Sequence, residues 1–315
     1  MKARAARVSP RSGVNAREWL ARGTRQGLPD LAVLGAPIHR ASISLTNAHT
    51  TPPAIRAAME RFSTWDGDNN AQLEDLRVVD LGDVEGDDAD PDATAAHARI
   101  QAAVAAALER APVVAIFGGD NSLTRPAMTG AASGPGLGEG WGLVTIDAHH
   151  DCRPLDGGAS NGNPVRGLIS DGLPGTRVAQ VGIRGFANHE DHAIWALQQA
   201  IDVRTADEVR ANGMAATLHH VLTDLRAEGV GAIYADIDID VLDRAFAPAC
   251  PASLPGGLRP PDVLEAAYLL GTLPAVRAVD FVEVDAAADV AGITLRVTAA
   301  AFLAFCSGLS KRLRG

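Results

Sequence analysis

Basic residues, cysteines and aromatics are all scarce in this chain, and each shortage excludes something. Lys and Arg number 28 against 38 Asp and Glu, a formal net charge of −10. A nucleic-acid backbone binder needs a basic footprint, so no nucleic-acid partner is expected. A small anionic substrate stays compatible, because one or two local arginines suffice for it. The three cysteines, Cys152, Cys250 and Cys306, are too few and too scattered for a disulfide framework. Cys152 has no accompanying Cys-His arrangement and reads as a bystander. Aromatics are only 4% of the chain, so the core must be built mainly of Ala, Val, Leu and Ile. No run of about 18 consecutive apolar residues occurs. The basic start, MKARAARVSPRSG, is followed by no apolar segment or small-residue cleavage motif. The expectation is a cytoplasmic protein with no membrane partner.

What is present is a globular composition, 47% hydrophobic and 21% charged over 315 residues, enough for one large domain. Short apolar runs at 31–34, 77–81, 113–117, 143–146, 178–183, 201–204, 233–239 and 279–284 read as strands. Helical segments are expected at 53–59, 93–108, 189–199, 215–227, 260–270 and 294–310, the first opened by Pro52 and Pro53. Strand and helix in alternation imply a parallel sheet with helices on both faces. The expected fold class is an α/β three-layer sandwich with a mostly parallel eight-stranded sheet. Residues 1–29 are read as an N-terminal arm and 30–315 as a single catalytic domain, without internal repeats or linkers. The long loop 38–53, with Asn47 and His49, is suited to the rim of a binding site. The acidic tract 85–92 lacks the ligand spacing and closing glutamate of a calcium loop and reads as a solvated turn before a helix.

In such a fold the active site lies at the C-terminal ends of strands, where Asp120, Asp147, Asp238, Asp240 and Glu283 fall. Asp147, His149 and Asp151 are spaced i, i+2, i+4, which puts them on one side if the strand continues. Asp236, Asp238 and Asp240 repeat the pattern. That many carboxylates repel one another unless cations or protons sit among them. Oxygen-rich ligation with one imidazole favours manganese over a structural zinc site. Two such ions would share bridging carboxylates and lower the pKa of a trapped water. His150 has the opposite strand parity and is expected to pack behind the site. Glu283 could hold a cationic amidine or guanidine, or be a salt bridge or cap. Arg166, in the polar loop 157–167 with Asn161 and Asn163, could clamp a carboxylate bidentately or face solvent. Arg153 is a weaker candidate of the same kind.

Four segments carry a family resemblance: GGDN (Gly118 to Asn121), DAHHD (Asp147 to Asp151), DIDVLD (Asp238 to Asp243) and Glu283-Val284-Asp285. From about Leu31 to Leu309 the chain resembles the arginase/agmatinase/formimidoylglutamase family, the ureohydrolases. The resemblance implies an arginase-like fold and two manganese ions per subunit. One would take Asp147, Asp151, Asp238 and Asn121, the other Asp147, His149, Asp238 and Asp240. It also implies that Asp151 orients the attacking water and passes its proton to the leaving nitrogen. Glu283 would hold the substrate nitrogens, with Asp120 and Asp243 in support. Asn121 departs from the family's usual histidine and predicts a weak or empty first metal position. The loop NGNPVRG (Asn161 to Gly167) lacks the histidine that arginases carry at about Val165 and is similar to the formimidoylglutamase loop. By that likeness Arg166 suits the glutamate end of a substrate, with Asn161, Asn163 and Arg153 nearby. The resemblance therefore implies hydrolysis of N-formimidoyl-L-glutamate to L-glutamate and formamide, a step of histidine degradation. Hydrolysis of agmatine or another guanidino compound to urea is the alternative. A catalytically impaired regulatory homologue is a further one, kept open by Asn121. A homo-oligomer, trimer or hexamer, is implied as well.

Overall fold

Strands such as Val114-Ala115-Ile116-Phe117 are apolar on both faces, as a strand lying between two helical layers must be. The computed structural model describes residues 13–24, 27–134 and 136–314. In chain order the elements are α1 (Ala16–Arg22), β1 (Leu31–Ala36), α2 (Thr51–Ala58), β2 (Trp65–Asp66), β3 (Ala71–Gln72), β4 (Val78–Asp83), α3 (Thr94–Arg110), β5 (Val114–Gly118), α4 (Thr124–Ala131), β6 (Trp141–Ile146), α5 (Pro164–Ser170), β7 (Val178–Ile183), α6 (Glu190–Gln198), β8 (Asp202–Thr205), α7 (Ala206–Asn212), α8 (Met214–Ala227), β9 (Ala232–Asp238), α9 (Pro260–Thr272), β10 (Val276–Val282) and α10 (Ile293–Arg314).

Eight strands form one sheet in the order β4-β1-β5-β10-β9-β6-β7-β8, and every adjacent pair is parallel. β2 and β3 pair separately as a small antiparallel ribbon. Alternation along the strands divides the core in two. Val113, Ala115 and Phe117 face a core shared with α2, α8, α9 and α10. Val114 and Ile116 face a second core with α3, α4 and α5. The three-layer α/β sandwich is thus the observed architecture. Phe117, Phe281 and Phe302 meet edge-on or tilted in the first core, with centroids 4.9 to 6.4 Å apart.

Three local expectations need correction. The 1–29 arm contains a packed helix, α1, capped by the Asn15 side chain on the Glu18 N–H. Ala16, Trp19 and Leu20 share one helical face and are buried in the first core. Residues 1–12 lie outside the described part. Arg166 is not in a loop: Pro164 opens α5 in the manner of a first-turn proline, and Arg166 is helical. The acidic tract 85–92 is not simply solvated, because Asp87 is fully buried. α10 is the one described helix long and apolar enough to cross a membrane, and two thirds of that stretch is buried within the fold, where it packs on α9.

Candidate active site

The central strands β5, β10, β9 and β6 end side by side, and each delivers a carboxylate-bearing segment just past its last residue. β5 exits through Gly118-Gly119. A Cβ on Gly119 would sit 1.9 Å from the Ile38 carbonyl oxygen, so only glycine lets β5 and the loop after β1 approach this closely. Asp120 then accepts the Ser122 N–H and starts a 3-10 turn holding Asn121.

Asp147, Asp151, Asp238, Asp240 and Glu283 are all buried. His149 Nδ1 lies 2.6 Å from Asp240 Oδ2 and 3.7 Å from Asp147 Oδ1. Ligand atoms of Asp147, His149 and Asp240 fall within 4.8 Å of one another. Backbone N–H groups set the carboxylate directions: His149 donates to Asp147 Oδ1 at 2.6 Å, Asp240 to Asp238 Oδ1 at 2.7 Å, and Ala148 to Asp240 Oδ1 at 3.2 Å. Asp147 Oδ2 is buried and has no hydrogen-bond partner among the described residues. Asp151 and Glu283 have φ of 51° and 65°, a left-handed backbone for non-glycine residues. Such conformations cost on the order of 1–3 kcal/mol and concentrate at functional sites.

Among the described residues no arginine or lysine pairs with any of these five carboxylates; His149 is their basic partner. Burial, then the Asp240 charge, pushes Asp147 up to about 7. Burial, then Asp120, pushes Glu283 up to about 8. Asp151 is raised by burial and Asp147, and Asp238 by burial and Asp240. Burial also opposes ionisation of Asp240, but the charge and hydrogen bond of His149 outweigh it and hold Asp240 low. In return the Asp240 charge, working against burial, lifts His149 to about 12. A buried oxygen without a donor, among crowded carboxylates that resist ionisation, is the electrostatic signature of a cation site. The donor set of oxygens and one imidazole fits a hard or borderline divalent metal.

The structure separates the expected substrate residues. Asn161 is at the site: its Nδ2 donates to Glu283 Oε1 at 3.0 Å, while its Oδ1 accepts the Ile43 N–H. Arg153 lines the cavity and makes no salt bridge among the described residues. Asn163 is spent on its own loop, donating to the Pro154 and Gly158 carbonyls and accepting from Ser160. Arg166 points elsewhere, donating to the Cys152 carbonyl at 3.1 Å and lying 4.7 Å from the Trp195 ring centroid. Neither Asn163 nor Arg166 lines the cavity. Asn121 has both ends of its amide engaged. Nδ2 donates to Asp151 Oδ2 at 2.6 Å, and Oδ1 accepts from the Thr124 hydroxyl at 2.7 Å. His150 packs behind, with Nδ1 2.7 Å from Gln180 Oε1, and the Cys152 thiol bonds the His150 carbonyl.

The cavity above the carboxylates is about 120 Å³. Ile43 and Ser44 of its wall come from the loop 38–53 that was expected at the rim; the histidines of the wall, His189 and His192 at the start of α6, were missed by sequence reasoning. Burial and then the Arg153 charge lower the His192 pKa. Two histidines three apart at a helix start, shortly after a strand end, were the available signal. The floor is therefore acidic, and the rim carries the Arg153 cation beside two imidazoles. A larger groove of about 720 Å³ lies between α9, α10 and the β2–β3 ribbon, but its lining includes no imidazole or cysteine.

The arginase family model matches residues 29–307. This chain belongs to the arginase family. As a member it is a hydrolase acting on linear amidines. It is 36% identical to a formimidoylglutamase of Halalkalibacterium halodurans, over 88% of this chain and 86% of that one. It is 33% identical to the proclavaminate amidinohydrolase of Streptomyces clavuligerus, over 84% and 83%. The crystal structure of Bacillus subtilis formimidoylglutamase superposes with a TM-score of 0.87 at 28% identity, covering 98% of this chain and 96% of that one. The all-parallel strand order of this sandwich explains why the metal-type cluster sits where the central strands end.

Proposed function

We propose that this arginase-family hydrolase converts N-formimidoyl-L-glutamate and water to L-glutamate and formamide. The observation that carries the reading is the polarity of one cavity: acidic Glu283, Asp151 and Asp238 below, and Arg153 with His189 and His192 above. A substrate with a cationic amidine at one end and carboxylates at the other matches it end to end. The identity to a formimidoylglutamase supports the same choice.

Two manganese ions are the proposed cofactor, held by Asp147, His149, Asp151, Asp238 and Asp240. Bound there, they supply an activated water of lowered pKa. Glu283 Oε1 is committed to the Asn121 N–H at 2.7 Å and to Asn161, which leaves Oε2 to accept an amidinium N–H. Asp151 is fixed through one oxygen by Asn121. Its other oxygen takes the proton of the attacking water and returns it to the departing amine nitrogen as the C–N bond breaks. Arg153 receives a substrate carboxylate. Asn121 acts in this scheme as the donor that aims Asp151, and an ion on its side would be held the more weakly.

A guanidino-acid hydrolase is the second reading, because such a substrate is bipolar too and the proclavaminate amidinohydrolase is a 33% relative. The deciding experiment is a manganese-loaded screen of formimidoylglutamate, agmatine, arginine and guanidino acids. Formamide and urea are quantified separately, and metal per chain is counted. Formamide from formimidoylglutamate, without urea from the others, is expected. Urea as the main product would establish the second reading. No turnover with intact metal and substrate binding would mark a regulatory homologue.

A further inference from the structure

A second set of metal-ligand side chains meets outside the cavity, where the loop after β1 crosses the turn after β4. His39, His49 and Asp88 bring one ligand atom each to within 4.8 Å of the others. His39 Nδ1 is 3.7 Å and His49 Nε2 4.0 Å from Asp88 Oδ1, and the two imidazole centroids are 4.2 Å apart. None of the three lines the catalytic cavity.

The arrangement is built, not incidental. Asp87, fully buried beneath it, accepts the backbone N–H groups of His39 at 3.0 Å and Arg40 at 2.8 Å. The same carboxylate lies 2.9 Å from His39 Nδ1. The 3.7 Å approach to Asp88 is thus made by the nitrogen that Asp87 holds; with Asp87 as acceptor Nδ1 carries the proton, which fixes the tautomer and leaves Nε2 as the ring nitrogen with a lone pair for a ligand. A carboxylate behind a metal-bound imidazole orients the ring and raises its basicity in this way. His49 is uncommitted: neither ring nitrogen makes a hydrogen bond among the described residues, and Nδ1 is buried without a partner. Buried polar nitrogens are seldom left so. The turn is rigid as well. Arg40 donates to the carbonyls of Asp87 and Asp88 at 2.5 and 2.6 Å, and Arg99 donates to that of Gly86 at 2.6 Å.

We propose that His39, His49 and Asp88 bind a zinc-type divalent ion, oriented through Asp87. Two imidazoles and one carboxylate, with water completing four ligands, suit zinc; calcium and magnesium demand a fuller oxygen shell. The ion ties the loop 38–53 to the turn 85–90. That loop supplies Ile43 and Ser44 to the cavity wall. Its Asn47 also holds Asp285 Oδ2 through both backbone and side-chain nitrogens. Zinc there stiffens one wall of the active site from outside, whatever amidine the enzyme hydrolyses.

Zinc binding to Asp147→Asn protein, in which the catalytic cluster is weakened, reads this site by the difference that the His39 and His49 substitutions make. Equilibrium dialysis with zinc counted per chain should show one ion that is lost with His49→Gln and with His39→Gln. Asp87→Asn should weaken it by about 10–100-fold, as loss of an orienting partner does. Cobalt in place of zinc should give visible absorption that vanishes in the same two histidine variants. Zinc should raise the melting temperature of the Asp147→Asn protein and leave that of its His49→Gln derivative unmoved. The absence of zinc from Asp147→Asn protein, or a zinc count per chain that both histidine substitutions leave unchanged, overturns the proposal.

Discussion

Asp80 and Asp83 on the edge strand β4, and Asp147, Asp238 and Asp240 at the ends of central strands, are the same side chain in two electrostatic settings. At the edge, Arg56 grips Asp80 with Nε and Nη2 at 2.7 and 2.8 Å and reaches Asp83 with Nη1. Burial opposes the Arg56 charge, but the Asp80 and Asp83 carboxylates outweigh it and raise its pKa. Those aspartates are paired by the chain itself, sharing one guanidinium. At the centre, five buried carboxylates have His149 as their one basic partner among the described residues. The fold leaves that charge for something bound from outside to balance. A protein seldom buries carboxylates unpaired unless a metal or a proton accompanies them.

The largest test of this contrast is Asp147→Asn. Removing a charge from the central cluster should lower kcat by on the order of a thousandfold or more and strip metal from the chain. Activity assays with metal analysis check both, and near-parental turnover would sink the metal mechanism. Next is the rim. Arg153→Ala should raise KM for an anionic amidine about 10–100-fold, the worth of a charge-assisted hydrogen bond, with little change for agmatine. Arg166→Ala, whose guanidinium stacks on Trp195, should move both substrates alike and by less. Equal effects of Arg153→Ala on acidic and neutral-ended substrates would remove it from substrate recognition.

At the edge, Arg56→Ala should cost about 2 kcal/mol of stability, since it leaves partly buried carboxylates unpaired, while metal content stays intact. Chemical denaturation reads the loss, and an unchanged midpoint would make the edge network ornamental. The smallest effect is the pH response of metal-free protein. Glu283 at about 8 and Asp147 at about 7 stand above their unfolded values of about 4.3 and 3.9. The folded state therefore holds more protons over that interval. The stability is complete below the unfolded values and is lost as pH rises through 7 and 8. His149, lifted to about 12 from about 6.5, has the same sign above neutrality. Asp240, held low, works the other way only in strong acid. The melting temperature should fall by several degrees, ~2–4 °C per kcal/mol, between pH 5 and 8. Added manganese should abolish or reverse the slope, because metal binds the deprotonated ligands. A metal-free melting temperature that rises with pH would place the central carboxylates with Asp80 as paired groups.

Much of the centre was legible beforehand. Asp147, His149, Asp151, Asp238 and Asp240 follow strands whose apolar runs are short and sharply bounded, and strand ends in a parallel sheet share one edge. Glu283 was found by the same reasoning. The rim was legible only in part: the loop 38–53, Arg153 and Asn161 were expected there and line the cavity, while His189 and His192 were not. Asn161, Asn163 and Arg166 sit within six residues of one another, yet one meets Glu283, one ties its own loop and one stacks on α6. Polar loops carry no periodicity that tells which way a side chain turns. Likewise Trp19 looked like part of a polar arm until α1 was seen packed in the core.

By itself, then, the sequence determined the layered parallel sheet and the acidic floor of the site. Both rest on local regularities: period-two alternation, short buried runs, and the rule that strand ends converge. Tertiary structure alone decided that His189 and His192 join Arg153 at the rim, that Arg166 does not, and that His39, His49 and Asp88 meet above Asp87. Those neighbours come from segments far apart in the chain. Only packing, which buries Asp87 and orients α5 against α6, brings the first set together and turns Arg166 away.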